Sequence, residues 1–395
     1  MKKFTVGLMG LSLFFLVSLG ISQAAPKELV LGCNFILSGP ASSLGLGMQR
    51  SVDHATELIN PKGFMVGGEQ YILKPAYFDS KYVPAESVSN VEKMLAQGIK
   101  FVYSTGSGVS VPIVEKTNAA KVFQMSYASG SNHLTSDKYP LSFRAVPCNE
   151  TAFSMYPWLV KDYSQIKRVA HINPSDEAGF TESETRLACA RNVGYQNVAN
   201  EFYKRGATDY YPVATKVAAT KPDFIDFGGT IGRDQALCVK ALRELGYKGM
   251  AGIGYSDPVA FVQIAGPEAA EGVILFNTIT EPTNPKQREL YDWYLKKYGP
   301  PFLTVVYDAW DPVFMLVEAV KKANSVDPVK VAEALRTVRW PSVFGEMYVG
   351  LKALYGIDST FSRPVPMGII KNGKPVHLTT APWPSDELVN KLIAK

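Results

Sequence analysis

The sequence predicts an α/β protein built from two successive open parallel sheets. Short apolar segments alternate with helix-length amphipathic ones from residue 29 onward, and the alternation restarts near residue 168. The chain has 395 residues, more than one hydrophobic core ordinarily organises, so two domains are expected.

The elements of the first half follow in order. Residues 29–36 form a short apolar strand. Residues 47–59 read as a helix whose wet face carries Gln49, Arg50, Asp53 and Glu57. A second strand covers 71–78. The helix over 84–96 is opened by Pro84, which suits a first turn, and closed by Gly98. Then come a strand at 101–103, a helix at 111–120 with Pro112 near its first turn, and a strand at 122–127. Short strands separated by such helices are βαβ units, which demand a parallel sheet. Residues 139–150, with Pro140 and Pro147, read as a segment crossing to the second sheet.

The second half repeats the scheme. Strands are expected at 168–172, 197–202, 224–227, 250–253 and 273–276, with helices at 180–192 and 233–245, the latter capped by Gly246. Beyond residue 276 the chain reads as helical. Val313, Leu316, Val317 and Val320 fall at i, i+3, i+4 and i+7, and Asp327-Pro328 opens a helix to residue 335. Two sheets with a helical return imply two lobes that exchange segments.

The first residues fix the compartment. Lys2 and Lys3 precede an apolar run over 4–21, and Ser22-Gln23-Ala24 supplies small residues for a peptidase. This is the three-part pattern of a secretory signal peptide over residues 1–24, cleaved near Ala24. Lipidation at Cys33 is disfavoured, because Lys27 and Glu28 separate it from the apolar run and it falls inside the first strand. No other segment is long and apolar enough to span a bilayer. The formal net charge of +5 falls to +3 without Lys2 and Lys3, and no basic run is interleaved with aromatics, so nucleic acid is not an expected partner. Cys33, Cys148, Cys189 and Cys238 would allow three pairings in an oxidising compartment. Scattered without a CxxC, they read as small buried apolar residues. His54, His133, His171 and His377 are isolated, so no metal site is assigned.

Ligands of open parallel sheets bind beyond the carboxyl ends of the strands. The loops expected there are rich in small polar residues: Ser38 to Ser43, then Thr105-Gly106-Ser107-Gly108-Val109-Ser110, then Ser126-Tyr127-Ala128-Ser129-Gly130-Ser131. Glycine admits close backbone approach, and a helix N-terminus offers unpaired N–H groups, a combination that suits a carboxylate. Enzyme motifs are missing. Gly254-Tyr255-Ser256-Asp257-Pro258 lacks the final glycine of a nucleophile elbow, and neither a phosphate loop, a dinucleotide fingerprint nor an HExxH occurs. Isolated acids such as Asp176, Glu177 and Asp308 are expected to solvate a surface or cap a helix.

Several ordered segments resemble one family. They are Leu37-Ser38-Gly39-Pro40, Gly106-Ser107, the stretch from Ala128 to Leu134-Thr135, Phe143-Arg144, Asp223-Phe224-Ile225 with Gly228-Gly229, Ile264-Ala265-Gly266, and Ala270-Glu271-Gly272. In order and spacing they resemble the leucine/isoleucine/valine-binding-protein family, the type I periplasmic binding proteins that serve branched-chain amino acid ABC transporters. The resemblance covers essentially the whole mature chain. It implies a two-lobed type I periplasmic-binding-protein fold, each lobe a parallel sheet sandwiched between helices, with three crossovers and hinge closure. Residues 27–145 with 277–362 would form one lobe, and 146–276 with 363–395 the other. It also implies a periplasmic, monomeric protein without cofactor or catalysis, which binds an apolar amino acid and docks on an ABC permease.

Carried over residue by residue, the resemblance places a ligand carboxylate on Thr105, Gly106 and Ser107, with Ala128, Ser129 and Gly130 contributing from the next loop. Leu44 stands where the family has a first-loop tyrosine, and Ala178 where it has a second-lobe tyrosine, with Phe180 close by. Gly130 replaces a threonine, for which Ser129 or Ser131 can substitute. Thr230 joins from the second lobe. The glutamate that pairs with the ligand ammonium aligns near Gly254 and Tyr255, with Asp257 following. If Asp257 points away, an ammonium would be buried without an anion. A non-amino organic acid or an amide would then fit better. A secreted enzyme and a ligand-sensing receptor subunit on the same fold are the alternatives from other classes.

Overall fold

The computed structural model describes residue 1 and residues 25–39, 41–129, 133–230, 232–254, 256–279 and 281–394. The signal-peptide segment and the site candidates Gly130 and Tyr255 fall outside the described residues.

Sixteen strands follow one another among the described residues: β1 (Lys27–Phe35), β2 (Phe64–Val66), β3 (Glu69–Asp79), β4 (Phe101–Thr105), β5 (Phe123–Tyr127), β6 (Ser142–Arg144), β7 (Arg168–Pro174), β8 (Gln196–Tyr203), β9 (Phe224–Phe227), β10 (Met250–Gly254), β11 (Ile274–Phe276), β12 (Arg339–Ser342), β13 (Gly345–Gly350), β14 (Thr360–Ser362), β15 (Val365–Lys371) and β16 (Lys374–Ala381). They build a nine-stranded sheet in the order β12-β13-β14-β6-β5-β4-β1-β3-β2 and a seven-stranded sheet in the order β16-β15-β11-β10-β9-β7-β8. The chain passes between them three times, after β6, after β11 and after β14.

The interiors of both sheets are parallel, as the alternation of elements requires: β3, β1, β4, β5 and β6 in one, β8, β7, β9, β10 and β11 in the other. Every residue of β4 and of β5 is buried, the signature of strands covered on both faces by helices. One core gathers Leu31, Phe35, Phe123, Phe143 and Leu316. Another gathers Ile172, Ile225, Phe227, Leu242 and Ile253. A third, with Phe153, Tyr156, Phe276, Val365 and Met367, lines the first and third passages.

Three expectations are corrected. The region beyond residue 276 is not helical throughout. After the helices Pro285–Tyr298, Val305–Ala323 and Pro328–Leu335 it makes five strands, β12 to β16, whose antiparallel pairings make both sheets mixed. The site helices begin earlier than their apolar periodicity: Ser107–Ala119 starts directly after Gly106, which leaves Pro112 in its interior, and Glu177–Asn192 starts after the capping Asp176. Asp308 neither solvates a surface nor caps a helix, since it is buried and ion-paired with Arg363. Asp176 does cap, accepting the Gly179 N–H at 3.1 Å. All four cysteines are buried.

Candidate functional site

The parallel strands of each sheet end, at their carboxyl edges, on loops that meet the other half of the molecule. On the first sheet, β4 runs into Gly106, whose φ of +91° is left-handed territory that favours glycine. A side chain there would also collide with the Tyr82 ring, 2.6 Å from an added Cβ. Gly106 turns the chain so that Ser107 opens the next helix, its amino end at the strand's carboxyl edge. Ser107 is buried, and its Oγ accepts the Ser129 N–H at 3.1 Å. The loops after β4 and β5 are therefore stitched together at the two serines.

From the second sheet, the helix Glu177–Asn192 approaches these serines. Two glycines after β9 permit the approach. A Cβ on Gly228 would lie 2.3 Å from the Arg186 Cδ, and one on Gly229 would lie 2.7 Å from the Gly179 Cα. The helix thereby brings Glu182 to the loops. The Ser129 hydroxyl donates to Glu182 Oε1 at 3.2 Å, and His133 Nδ1 lies 3.5 Å from a Glu177 carboxylate oxygen. Behind Glu182, Arg186 Nε donates to its Oε2 at 2.8 Å, while Arg186 Nη1 reaches both oxygens of Asp226 at 3.1 and 3.2 Å. Asp226 also accepts the Tyr156 hydroxyl at 2.7 Å. Burial pushes the Glu182 carboxyl above its ordinary range; the Arg186 guanidinium opposes that rise, and the Glu150 and Asp226 carboxylates add to it.

The remaining candidates are distributed around this junction. Thr105 is buried, with its hydroxyl 2.9 Å from the Met48 sulfur. Ala128 packs among Val114, Leu134 and Tyr139. Leu44 is half-buried against the first core. Phe180 is 52% exposed, its ring 5.2 Å from that of Phe202. The Thr230 hydroxyl donates to the Ile172 carbonyl at 3.1 Å. Asp257 caps the helix Pro258–Ala265: its Oδ1 accepts from the N–H groups of Val259 and Ala260 at 2.8 and 2.9 Å. Gly106, Ser107 and Ser129 are thus brought together, whereas the side chains of Thr105, Thr230 and Asp257 have partners within their own half of the fold.

Sequence reasoning missed Glu182, Tyr82 and Asn277. Tyr82 follows Lys81 in a left-handed pair (φ +59° and +52°), a conformation that no residue pattern announces. Asn277 directly follows β11 and is buried, and among the described residues neither atom of its side-chain amide has a hydrogen-bond partner. A groove of about 780 Å³ lies elsewhere, lined by Lys121, Lys138, Leu141, Glu333 and Arg336 among others. Lys121 and Leu141 precede β5 and β6, so the groove sits at the amino edge of the first sheet, opposite the serine loops. Among the described residues, no cluster of His, Cys, Asp or Glu could hold a metal ion, and no helix is long and apolar enough to cross a membrane.

Comparison with known proteins agrees with this architecture. A periplasmic binding protein family model matches residues 29–374. The leucine-, isoleucine-, valine-, threonine- and alanine-binding protein of Pseudomonas aeruginosa is 23% identical over 316 residues, 79% of this chain and 83% of the relative. The Leu/Ile/Val-binding protein BraC3 of Rhizobium johnstonii is 25% identical over 341 residues, 84% of this chain and 90% of the relative. Among solved structures, an amino acid ABC transporter substrate-binding protein from Pseudomonas fluorescens superposes with a TM-score of 0.77 at 17% identity, covering 92% of this chain and 98% of that one. The leucine binding protein LivK of Thermotoga maritima superposes with a TM-score of 0.75 at 19% identity, covering 90% and 99%. The two mixed sheets, the three passages between them and the near full-length family match lead to one assignment: the chain belongs to the periplasmic binding proteins, and within them to the type I, leucine/isoleucine/valine-binding-protein family.

Proposed function

We propose that this chain is the extracytoplasmic substrate-binding protein of an ABC importer and that it captures an apolar α-amino acid, a branched-chain one first, between two lobes. The observation that carries the reading is the stitched pair Ser107 and Ser129, held at the amino end of a helix and faced by the other half of the molecule. Hydrogen-bond donors there suit a ligand carboxylate, and in a closed, dry cleft they discriminate strongly, because an unmatched polar group is costly. Residues 27–145 with 277–362 make one lobe and 146–276 with 363–395 the other, hinged at the three passages. Leu44 and Phe180 border the ligand's apolar part; Thr105, Gly106, Ala128, Ser129 and Thr230 complete the surround. The exported protein, freed of residues 1–24, works as a periplasmic monomer, delivers its cargo to a permease and performs no catalysis.

A second reading, a non-amino organic acid or an amide, is favoured by one observation: Asp257 is engaged as a helix cap. Thermal unfolding of the purified exported protein separates the two. Valine, leucine and isoleucine should each raise the midpoint, because a ligand at about 100 times its Kd adds roughly 2.7 kcal/mol to the native state. A rise with isovalerate or an amide and none with any amino acid would establish the second reading. Conversion of the bound compound to product would contradict the non-enzyme assignment.

A further inference from the structure

The charges behind the serine loops do not balance. One guanidinium, Arg186, faces two carboxylates, Glu182 and Asp226, and all three side chains are at most 1% exposed. Asp226 receives both its Arg186 contacts and the Tyr156 hydroxyl. Glu182 gives Oε2 to Arg186, but among the described residues its Oε1 has only the neutral hydroxyl of Ser129. The excess negative charge therefore sits toward the oxygen that faces the serine loops. Burying a carboxylate short of its counter-charge is unfavourable, and a cation arriving with the ligand removes that cost.

The spacing defines what the cation is attached to. Ser129 contributes its N–H to Ser107 and its hydroxyl to Glu182, so an anion-accepting loop and an anion lie one side chain apart. An α-amino acid carries its carboxylate and ammonium on adjoining atoms and spans such a gap. We infer that Glu182 receives the α-ammonium of the ligand, and that Ser129, released from Glu182, turns its hydroxyl to the ligand carboxylate. The inference rests on the amino-acid reading given above and assigns its cationic half to a residue of the helix Glu177–Asn192 rather than to Asp257. The bond between Ser129 and Glu182 holds the two halves of the site together until the ligand replaces it. Burial, which holds the Glu182 carboxyl above its ordinary range, acts in the same direction, since an adjacent ammonium relieves it.

Calorimetric titration of the wild-type protein with valine and leucine, each against its des-amino counterpart isovalerate or isocaproate, tests the parent reading. At least about a hundredfold preference for the amino acids is expected, as a site with an unmatched buried anion rejects the analogue. A preference for the des-amino acids would overturn that reading by itself. The variants then test Glu182. In Glu182→Gln, amino-acid affinity should fall by about a hundredfold while des-amino affinity stays within about threefold, and Asp257→Asn should keep the wild-type preference. A preference retained in Glu182→Gln, or lost in Asp257→Asn, would overturn the inference while leaving the amino-acid reading intact. Should Glu182→Gln fail to fold, Glu182→Asp serves. Weakened amino-acid binding with unchanged des-amino binding is expected, and equal weakening of both would overturn the inference.

Discussion

The buried ion pairs at the passages between the sheets differ from the one beneath the serine loops. At the passages each cation has one carboxylate. Arg144, at the end of β6, forks onto Glu150 and also reaches Thr360, and Glu150 takes the Tyr355 hydroxyl as well. Arg363, between β14 and β15, pairs with Asp308, which accepts the Tyr127 hydroxyl at 3.3 Å. Beneath the loops Arg186 has two carboxylates, and one oxygen of the outer one faces the serines. Balanced pairs suit a joint that must hold its geometry. An unbalanced one suits a site that waits for a charge to be delivered.

The difference can be broken in order of effect. Arg186→Met leaves two buried carboxylates without a counter-charge and should cost at least about 3–5 kcal/mol in urea denaturation. Loss of under about 1 kcal/mol would show that the cluster is not a charge pair in the folded protein. Glu150→Gln strands Arg144 and should cost about 3 kcal/mol. Gly106→Ala meets both a left-handed φ and the Tyr82 ring, so a loss of roughly 1–3 kcal/mol is expected together with weakened ligand binding. Glu182→Gln is the sharpest contrast with Glu150→Gln. Arg186 keeps Asp226, an unbalanced charge is removed, and the ligand-free variant should be as stable as the wild type or more so. Equal destabilisation by the two Glu→Gln changes would erase the distinction between the regions.

The same contrast has a pH signature. A carboxyl raised above its ordinary value keeps its proton in the native state where the unfolded chain has lost it. Its stabilising share is present below the ordinary glutamate value and is lost as pH rises through the elevated one. Glu182 is such a group, and Asp308 and Asp311, the latter pushed up to about 6, share that sense. The share of ligand-free stability that these three groups contribute should therefore fall as pH climbs from about 4 toward neutrality. The fall should be shallower in Glu182→Gln; identical slopes would contradict the assignment of the excess charge to Glu182.

The sequence made the parallel interiors legible because their signals are local. Residues 84–96 form a helix between Pro84 and Gly98, and Phe224–Phe227 is a strand, both with the expected bounds. The strands beyond residue 338 were not legible. Arg339–Ser342 is short, contains Pro341 and is largely unburied, and it is a strand only because β13 pairs with it. The site divides in the same way. Ser107 and Ser129 stand at strand ends, where the parallel pattern directs attention. Glu182 sits mid-helix in Thr181-Glu182-Ser183-Glu184-Thr185, a run indistinguishable from a solvated face. Only the seat provided by Gly228 and Gly229 turns it inward, and that seat comes from a strand more than thirty residues away in sequence, beyond the reach of any local pattern.

The most direct test of the account is a crystal structure of residues 25–395 with bound valine. The account requires the ligand carboxylate on Ser107 and Ser129 and its ammonium about 3 Å from Glu182 Oε1. An ammonium held by Asp257, or valine bound away from the loops of Ser107 and Ser129, would contradict it.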